Sequence, residues 1–315
     1  MTLAAEDFAE RRRLRRSRSF WRVTTIIALA LAAIAVVWRV NAELGGDGGS
    51  PHIARVDIEG VIGADERMLA MLGRIAENDD VAAVIVHIDS PGGTAVGGEA
   101  HFEALREIAG AKPLVAQVST LAASAGYMVA AAADHIVARN TSIVGSIGVI
   151  VQVPNVTELL DRLGVEVRSI KSAPLKAEPS PFDPITPDDE AMMQRMVDDS
   201  YRWFVDLVAE RRPFDGATAL ALADGSVFSG RQALENGLVD ALGGEDAVKA
   251  ALAARDIDPE LPVLRYEPDR DEGSLLSVLT SRLGSRVPGL EGLATQVRRL
   301  APLDGMVALW QGPAR

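Results

Sequence analysis

Short apolar runs alternate along this chain with segments in which apolar residues recur at helical spacing. The first three runs are Ile53–Ile58, Val81–Asp89 and Leu114–Val118. Short continuous apolar runs are typical of strands that are buried on both faces, as in parallel sheets. The alternation therefore predicts an α/β domain built from βαβ units. The other predicted elements are strands at 136–138, 147–151 and 165–170, and helices after Asp65, from Val96, and at 122–132 and 156–163.

Two later helices are predicted from their start signals. Thr186 provides an N-cap, Pro187 suits the first helical position, and acidic residues follow at once, so a long helix should run toward Arg212. Ser229 and Gln232 have the spacing of a capping box, which predicts a second helix that starts there.

A longer apolar stretch at 20–40 follows the basic run at 11–16. Its length is close to the roughly 20 residues that span a bilayer, and Trp21 and Trp38 bracket it as interfacial aromatic residues do. The pattern predicts one transmembrane helix, and the arginine-rich side should stay in the cytoplasm. A cleaved signal peptide is the alternative, with a small-residue site around Ala42; the length of the stretch favours an uncleaved anchor.

The predicted organisation therefore has five parts. They are a cytoplasmic basic N-terminus at 1–19, a transmembrane anchor at 20–40, a glycine-rich linker at 41–51, a folded domain at 52–267 and a C-terminal extension of uncertain structure at 268–315.

Charge and composition exclude several function classes. Beyond Arg22 the chain carries 25 basic against 41 acidic side chains, or −16, and such a surface repels the phosphates of nucleic acids. The chain has no cysteine, so disulfides, thiol nucleophiles and thiolate metal sites are excluded. The four histidines do not have the spacing of a zinc motif, and after Ser124 only His135 follows, so a Ser/His/Asp triad lacks an obvious base.

Three short segments carry the candidate chemistry. Residues 87–94 end a strand with Ser-Pro-Gly-Gly, whose glycines allow a sharp turn with exposed amides. Residues 119–127 place Ser124 among small residues near the start of a helix, and residues 168–176 place Lys171 directly after an apolar run. Each segment taken alone is more often an ordinary turn, a small packing residue or a solvated lysine. A lysine in an apolar pocket, however, can lose its proton and act as a general base.

Together, five motifs in this order and spacing resemble peptidase family S49, the signal peptide peptidase A family. Three of them are the segments above, and the other two are Gly145-Ser146-Ile147-Gly148-Val149 and the stretch from Ser229 to Asp240. The resemblance covers roughly Arg55 to Gly244 and is closest to the short single-repeat type. It implies the Clp protease/crotonase-like fold of repeated ββα and βαβ units.

The resemblance also implies a catalytic site with a Ser/Lys dyad. Ser124 would be the nucleophile and Lys171 the general base, while Ser146 would hydrogen-bond the lysine. The backbone amides of Gly93 and Ala125 would form the oxyanion hole. No metal and no cofactor is implied.

Two departures from the family pattern affect these assignments. The family more often has glycine where this chain has Ala125 and Ala173. Neither position supplies a reacting side chain, and Ala125 keeps its amide. Lys176 is a second candidate for the base, but Lys171 lies in the matching Ile-Lys-Ser frame.

The function implied by the resemblance is that of a membrane-anchored serine endopeptidase. It would degrade remnant signal peptides on the extracytoplasmic side of a bacterial inner membrane, as a homo-octamer in which each protomer supplies its own dyad. Other membrane-associated peptides and misfolded membrane proteins are further possible substrates. Two alternatives stay open: a crotonase-like acyl-CoA enzyme and a noncatalytic membrane scaffold.

Overall fold

The structure, a computed structural model, describes residues 50–269, helical positions 25, 27, 28, 30–32 and 34, and the backbone of 307–309. The elements in chain order are β1 (His52–Ile62), α1 (Glu66–Glu77), β2 (Val81–Thr94), α2 (Ala95–Ala111), β3 (Leu114–Ala123), α3 (Ala125–Ala131), β4 (His135–Ala138), β5 (Ile143–Gly145), α4 (Thr157–Leu163), α5 (Pro187–Arg211), α6 (Gly216–Leu222), β6 (Val227–Ser229), α7 (Gly230–Glu235), β7 (Ala241–Leu242), α8 (Glu245–Ala253), β8 (Val263–Tyr266) and β9 (Val307–Leu309).

The strands form one mixed sheet. Its main path is β6-β5-β3-β2-β1-β8, β4 pairs with both β3 and β7, and β9 pairs with β2. The neighbours β1/β2, β2/β3, β1/β8, β3/β4, β3/β5 and β4/β7 are parallel, whereas β5/β6 and β2/β9 are antiparallel. The fold is thus the predicted mixed α/β type, consistent with the Clp protease/crotonase-like architecture.

Both faces of the central strands are buried, which explains their continuous apolar runs. Along β2, Val84, Val86 and Ile88 belong to the larger core cluster, to which α1, α2, α3 and α5 contribute. The intervening Ala83 and Ile85 belong to a second cluster with residues of α8. Successive side chains of a strand point to opposite faces, so a strand between two helical layers needs apolar residues at every position.

The helix starts follow their predicted signals. The Thr186 side chain accepts from the Asp189 N–H while the Asp189 carboxylate accepts from the Thr186 N–H, and Pro187 opens the 25-residue helix α5. Ser229 and Gln232 form the same reciprocal arrangement at the start of α7. Asp65 caps α1 by accepting from two backbone N–H groups. These capping interactions are local, so the sequence alone could predict them.

Two predicted strands are wrong. The strand predicted at 147–151 is displaced to Ile143–Gly145, because Gly145 and Ser146 have φ of 107° and 51° and so end the extended conformation. The stretch 165–170 forms no strand. All of its side chains are exposed, and no neighbouring strand pairs with it in the described part of the chain.

Most of the predicted anchor at 20–40 lies outside the described residues. No helix within the described residues is both long and apolar enough to cross a membrane. Most of the predicted 268–315 extension also lies outside them, apart from residues 268 and 269 and the short strand β9.

Candidate active site

Ser124 occupies a sharp turn between β3 and α3. Its φ and ψ are 56° and −120°, a conformation that costs a non-glycine residue about 1–3 kcal/mol. Three backbone bonds hold it there: the Ser124 N–H donates to the Gly145 carbonyl at 2.8 Å, and the Ser124 carbonyl accepts from Tyr127 and Met128, each at 2.9 Å. A serine on a strained strand-to-helix turn is how several hydrolases present their nucleophile.

The predicted oxyanion-hole residues lie on the two segments that meet at this turn. Ala125 is the first residue of α3, and the first N–H groups of a helix have no intrahelical acceptor. Gly93 lies near the end of β2, where an added Cβ would be 1.8 Å from the Ile62 carbonyl oxygen, so only glycine fits. Gly93 and Ala125 therefore lie on the two elements, β2 and α3, that pack together beside the Ser124 turn.

The close packing between the end of β2, around Ser90, and helix α3 was not predicted from sequence. A Cβ on Gly126 would lie 2.8 Å from the Ser90 carbonyl oxygen, so the turn approaches the helix backbone closely. The buried Ser90 hydroxyl donates to the Gly60 carbonyl at 2.6 Å and accepts from the Gly92 N–H at 3.1 Å. Ser90 and Gly126 thus position the Gly93 segment. The small residues of the Ser-Pro-Gly-Gly and Ala-Ser-Ala-Gly motifs were the available signal.

The segment 145–148 covers Ser124. The Ser124 hydroxyl lies 3.5 Å from the Gly148 carbonyl oxygen, and the residue is only 1% exposed. Ser146 lies in this segment with φ of 51°, and its N–H donates to the Ser226 carbonyl at 2.7 Å. Ser124 and Ser146 are two of the four non-glycine residues with positive φ in the described chain, so backbone strain is concentrated at this site.

The ionic contacts of Lys171 are with two carboxylates, and no hydrogen bond joins it to Ser124 within the described residues. Its ammonium group contacts the Glu178 carboxylate and lies 3.7 Å from the Asp183 carboxylate. The hydrogen bond to Glu178 raises the pKa of Lys171, and the charges of the nearby carboxylates add to the effect despite partial desolvation. In this arrangement Lys171 is a cation and cannot accept a proton.

The structure thus places Ala125 and the Ser146 segment beside Ser124, with Gly93 on the strand that packs against α3 at Ser90 and Gly126. Lys171 pairs instead with Glu178, a residue that sequence reasoning missed. Lys176, the other candidate base, is exposed and has no ion pair in the described chain.

The four histidines are engaged elsewhere. His52 bonds the Tyr266 hydroxyl at 2.8 Å, and His101 Nδ1 lies 2.7 Å from the Gly97 carbonyl oxygen. His87 and His135 lie 3.6 and 3.9 Å from the carboxylates of Asp57 and Asp240. The described residues therefore contain no Ser/His pair at Ser124, and they contain no cluster of acidic or histidine side chains suited to a metal ion.

The end of β2 accepts a further strand. The backbone of β9 pairs antiparallel with it, so that Gly93 faces Ala308. This edge of β2 is therefore occupied by β9.

The family model that matches this chain and the relatives that resemble it all indicate a protease family. The model of peptidase family S49 matches residues 106–257, which include Ser124, Ser146 and Lys171. A provisionally named protease of Methanocaldococcus jannaschii is 35% identical over 241 residues, or 76% of each chain. A provisionally named protease of Synechocystis sp. is 37% identical over 210 residues, which cover 66% of this chain and 76% of that protein.

A third relative has a more specific name. A provisionally named signal peptide peptidase SppA of Enterococcus faecium is 33% identical over 233 residues, which cover 72% of this chain and 65% of that protein.

Proposed function

Because this chain belongs to peptidase family S49 and is therefore a peptidase, we propose that Ser124 is its nucleophile and Lys171 its general base. The strained turn at Ser124, with the amides of Gly93 and Ala125 on adjoining elements, carries the proposal. In the sequence alone, each motif could equally be an ordinary turn, a small packing residue or a solvated lysine. An unfavourable serine conformation held by three backbone bonds supports a functional explanation over a packing role.

In the proposed reaction, neutral Lys171 takes the proton of the Ser124 hydroxyl as its oxygen attacks a peptide carbonyl. The amides of Gly93 and Ala125 stabilise the oxyanion of the tetrahedral intermediate. When the intermediate collapses, the C–N bond breaks and the departing amine takes the proton from the lysine ammonium. Lys171 then takes a proton from a water molecule, whose oxygen attacks the ester carbonyl on Ser124. The C–O bond to Ser124 breaks, and the lysine ammonium returns the proton to the serine oxygen.

This reaction requires Lys171 to leave Glu178. Lys171 belongs to the segment 150–185, which we call the apolar segment because it contains nine of the twenty large apolar residues that are exposed in the described chain: Ile150, Leu159, Leu163, Val165, Val167, Ile170, Leu175, Phe182 and Ile185. Exposed apolar surface of this density is typical of protein–protein interfaces. We therefore propose that the segment packs against a second copy, in the homo-octamer expected from sequence, and that this contact brings Lys171 to Ser124.

The proposal also includes the cellular location and the substrate class of the enzyme. The apolar stretch at 20–40 would anchor the chain in a bacterial inner membrane, with the catalytic domain on the extracytoplasmic side. A peptidase held there meets remnant signal peptides, which are apolar and accumulate in the membrane. One relative named as a signal peptide peptidase supports this substrate class.

Covalent labelling tests the nucleophile. The full chain in detergent is treated with a fluorophosphonate probe, and the labelled residue is identified by peptide mass spectrometry. We expect a single adduct on Ser124, with no labelling and no peptidase activity in Ser124→Ala. Ser119→Ala, on the strand β3 that leads to Ser124, is the matched control and should label normally. A noncatalytic scaffold or an acyl-CoA enzyme would show no adduct at Ser124, and that result would end the proposal.

Activity assays on single and co-assembled variants test whether Lys171 is the general base and which chain supplies it. Lys171→Ala should lose about 10²–10⁴-fold in activity, whereas Lys176→Ala should keep it. If the lysine comes from a neighbouring copy, co-assembly of Ser124→Ala with Lys171→Ala restores part of the activity. If each chain supplies its own lysine, the mixture stays inactive. Full activity of Lys171→Ala alone would show that Lys171 is not the base.

The absence of cysteine makes the membrane orientation directly measurable. Single cysteines at Ser17 and Ser50 are treated in intact cells with a membrane-impermeant maleimide. We expect labelling at position 50 only, on a protein whose mass includes the N-terminus. Labelling at 17, or loss of the first 40 residues, would contradict the orientation or the uncleaved anchor.

A further inference from the structure

A cleft of 380 Å³ lies between α2, α3 and α5. Val96 and Glu99 line it from α2, Met128 from α3, and Asp199 and Trp203 from α5. Its walls are mainly apolar, while its two carboxylates come from different helices. Its volume is sufficient for one long side chain.

One hydrogen bond and two neighbouring positions in the chain place this cleft beside the proposed site. Met128 lies one helical turn after Ser124, and its N–H donates to the Ser124 carbonyl at 2.9 Å. Val149, which also lines the cleft, directly follows Gly148, whose carbonyl lies 3.5 Å from the Ser124 hydroxyl. Val96 comes three residues after Gly93. A side chain that flanks the attacked carbonyl of a bound peptide therefore has the cleft within reach.

The chemistry of the lining favours a cation with a long apolar stem. Neither Glu99 nor Asp199 has a hydrogen bond or ion pair within the described residues, although both line the cleft. The indole of Trp203 is 38% exposed, and Met128 is 1% exposed. Lysine and arginine side chains lay methylene groups along apolar walls while their charged ends meet carboxylates or an indole face. A neutral apolar side chain would crowd both carboxylates without a partner.

We propose that this cleft is a specificity subsite for a lysine or arginine residue that flanks the scissile bond. The inference rests on the proposed function, since it assumes that Ser124 attacks a peptide near the cleft. It narrows the substrate class from apolar peptides in general to apolar peptides in which a basic residue lies next to the bond that is cut.

The test uses matched peptides with the full chain in detergent. Ten-residue peptides of alanine and leucine carry one central arginine or lysine, or their uncharged counterparts citrulline and norleucine. Mass spectrometry identifies the cut bond, and kcat/KM is measured for the wild type and for a Glu99→Gln/Asp199→Asn double variant. Asp206→Asn, an exposed carboxylate of α5 outside the cleft lining, controls for the general negative charge of the protein.

We expect arginine and lysine peptides to be cut beside the charged residue, with kcat/KM about tenfold above the uncharged counterparts. The double variant should lose this preference, whereas Asp206→Asn should keep both the preference and the activity on the neutral peptides. Equal cleavage of charged and uncharged peptides, or a preference that survives the double variant, would overturn the subsite while the peptidase proposal stands. Absence of both cleavage and Ser124 labelling would overturn both.

Discussion

The two halves of the proposed dyad lie in regions of opposite character. All seven residues of α3, which follows Ser124, are buried, and the turn before it is hydrogen-bonded to neighbouring segments. Lys171 lies instead in a stretch without helix or strand between α4 and α5, next to a fully exposed Ile170. Its ionic contacts are with Glu178 and Asp183 of the same stretch.

The difference shows what positions each group. Core packing has few alternative arrangements, so it can hold Ser124 in a strained conformation. The Lys171–Glu178 pair is partly buried, but it lies in a stretch without helix or strand that is bordered by exposed apolar side chains. In the proposed dyad, the nucleophile is therefore preformed within one chain, and we propose that the position of the base depends on what covers the apolar segment.

The largest expected effect is on the free energy of unfolding. An isoleucine-to-alanine substitution in the buried sheet is compared with the same substitution in the apolar segment. Ile88 is fully buried in β2, so Ile88→Ala should lower the free energy of unfolding by about 2–5 kcal/mol. Ile170→Ala removes an exposed side chain and should change it by less than about 0.5 kcal/mol in the monomer. Urea unfolding of the full chain under monomeric conditions measures both. Similar values at the two sites would remove the contrast between the regions.

The next effect is on catalysis within the buried region. Gly93→Ala would place a Cβ against the Ile62 carbonyl and displace one oxyanion donor, so kcat should fall by about 10²–10³-fold. Gly73→Ala is the control, because an added Cβ there has no neighbour within 4 Å and alanine favours the helix. Its activity should be normal and its stability equal or higher. A fully active Gly93→Ala would exclude this amide from the oxyanion hole.

The smallest effect concerns the base. Glu178→Gln removes the carboxylate that raises the pKa of Lys171, so that pKa falls and neutral lysine appears at lower pH. The alkaline rise of the activity profile should therefore move to lower pH, as measured by kcat/KM against pH. Glu166→Gln, which instead interrupts an exposed pair with Arg168, should leave the profile unchanged. An unmoved profile in Glu178→Gln would show that pairing with Glu178 does not compete with the deprotonation of Lys171 in the assembled enzyme.

Local signals of the sequence were reliable guides to the fold. The caps at Thr186 and Ser229 and the apolar runs of β1, β2 and β3 lie where they were predicted, because capping depends on near neighbours and burial on both faces favours apolar residues along a strand. The run at 165–170 was also predicted as a strand, but Glu166 and Arg168 alternate with its apolar residues, and no strand pairs with it in the described part of the chain.

The fold class, the family and the motif residues around Ser124 could thus be predicted from the sequence, since these depend on local pattern and motif order. Four features were visible only in the tertiary structure: the strained turn at Ser124, the close approach of the Ser90 carbonyl to Gly126, the pairing of Lys171 with Glu178, and the cleft between α2, α3 and α5. These features join residues from separate elements, and distances between such residues are set by how the helices and sheet pack rather than by any local spacing.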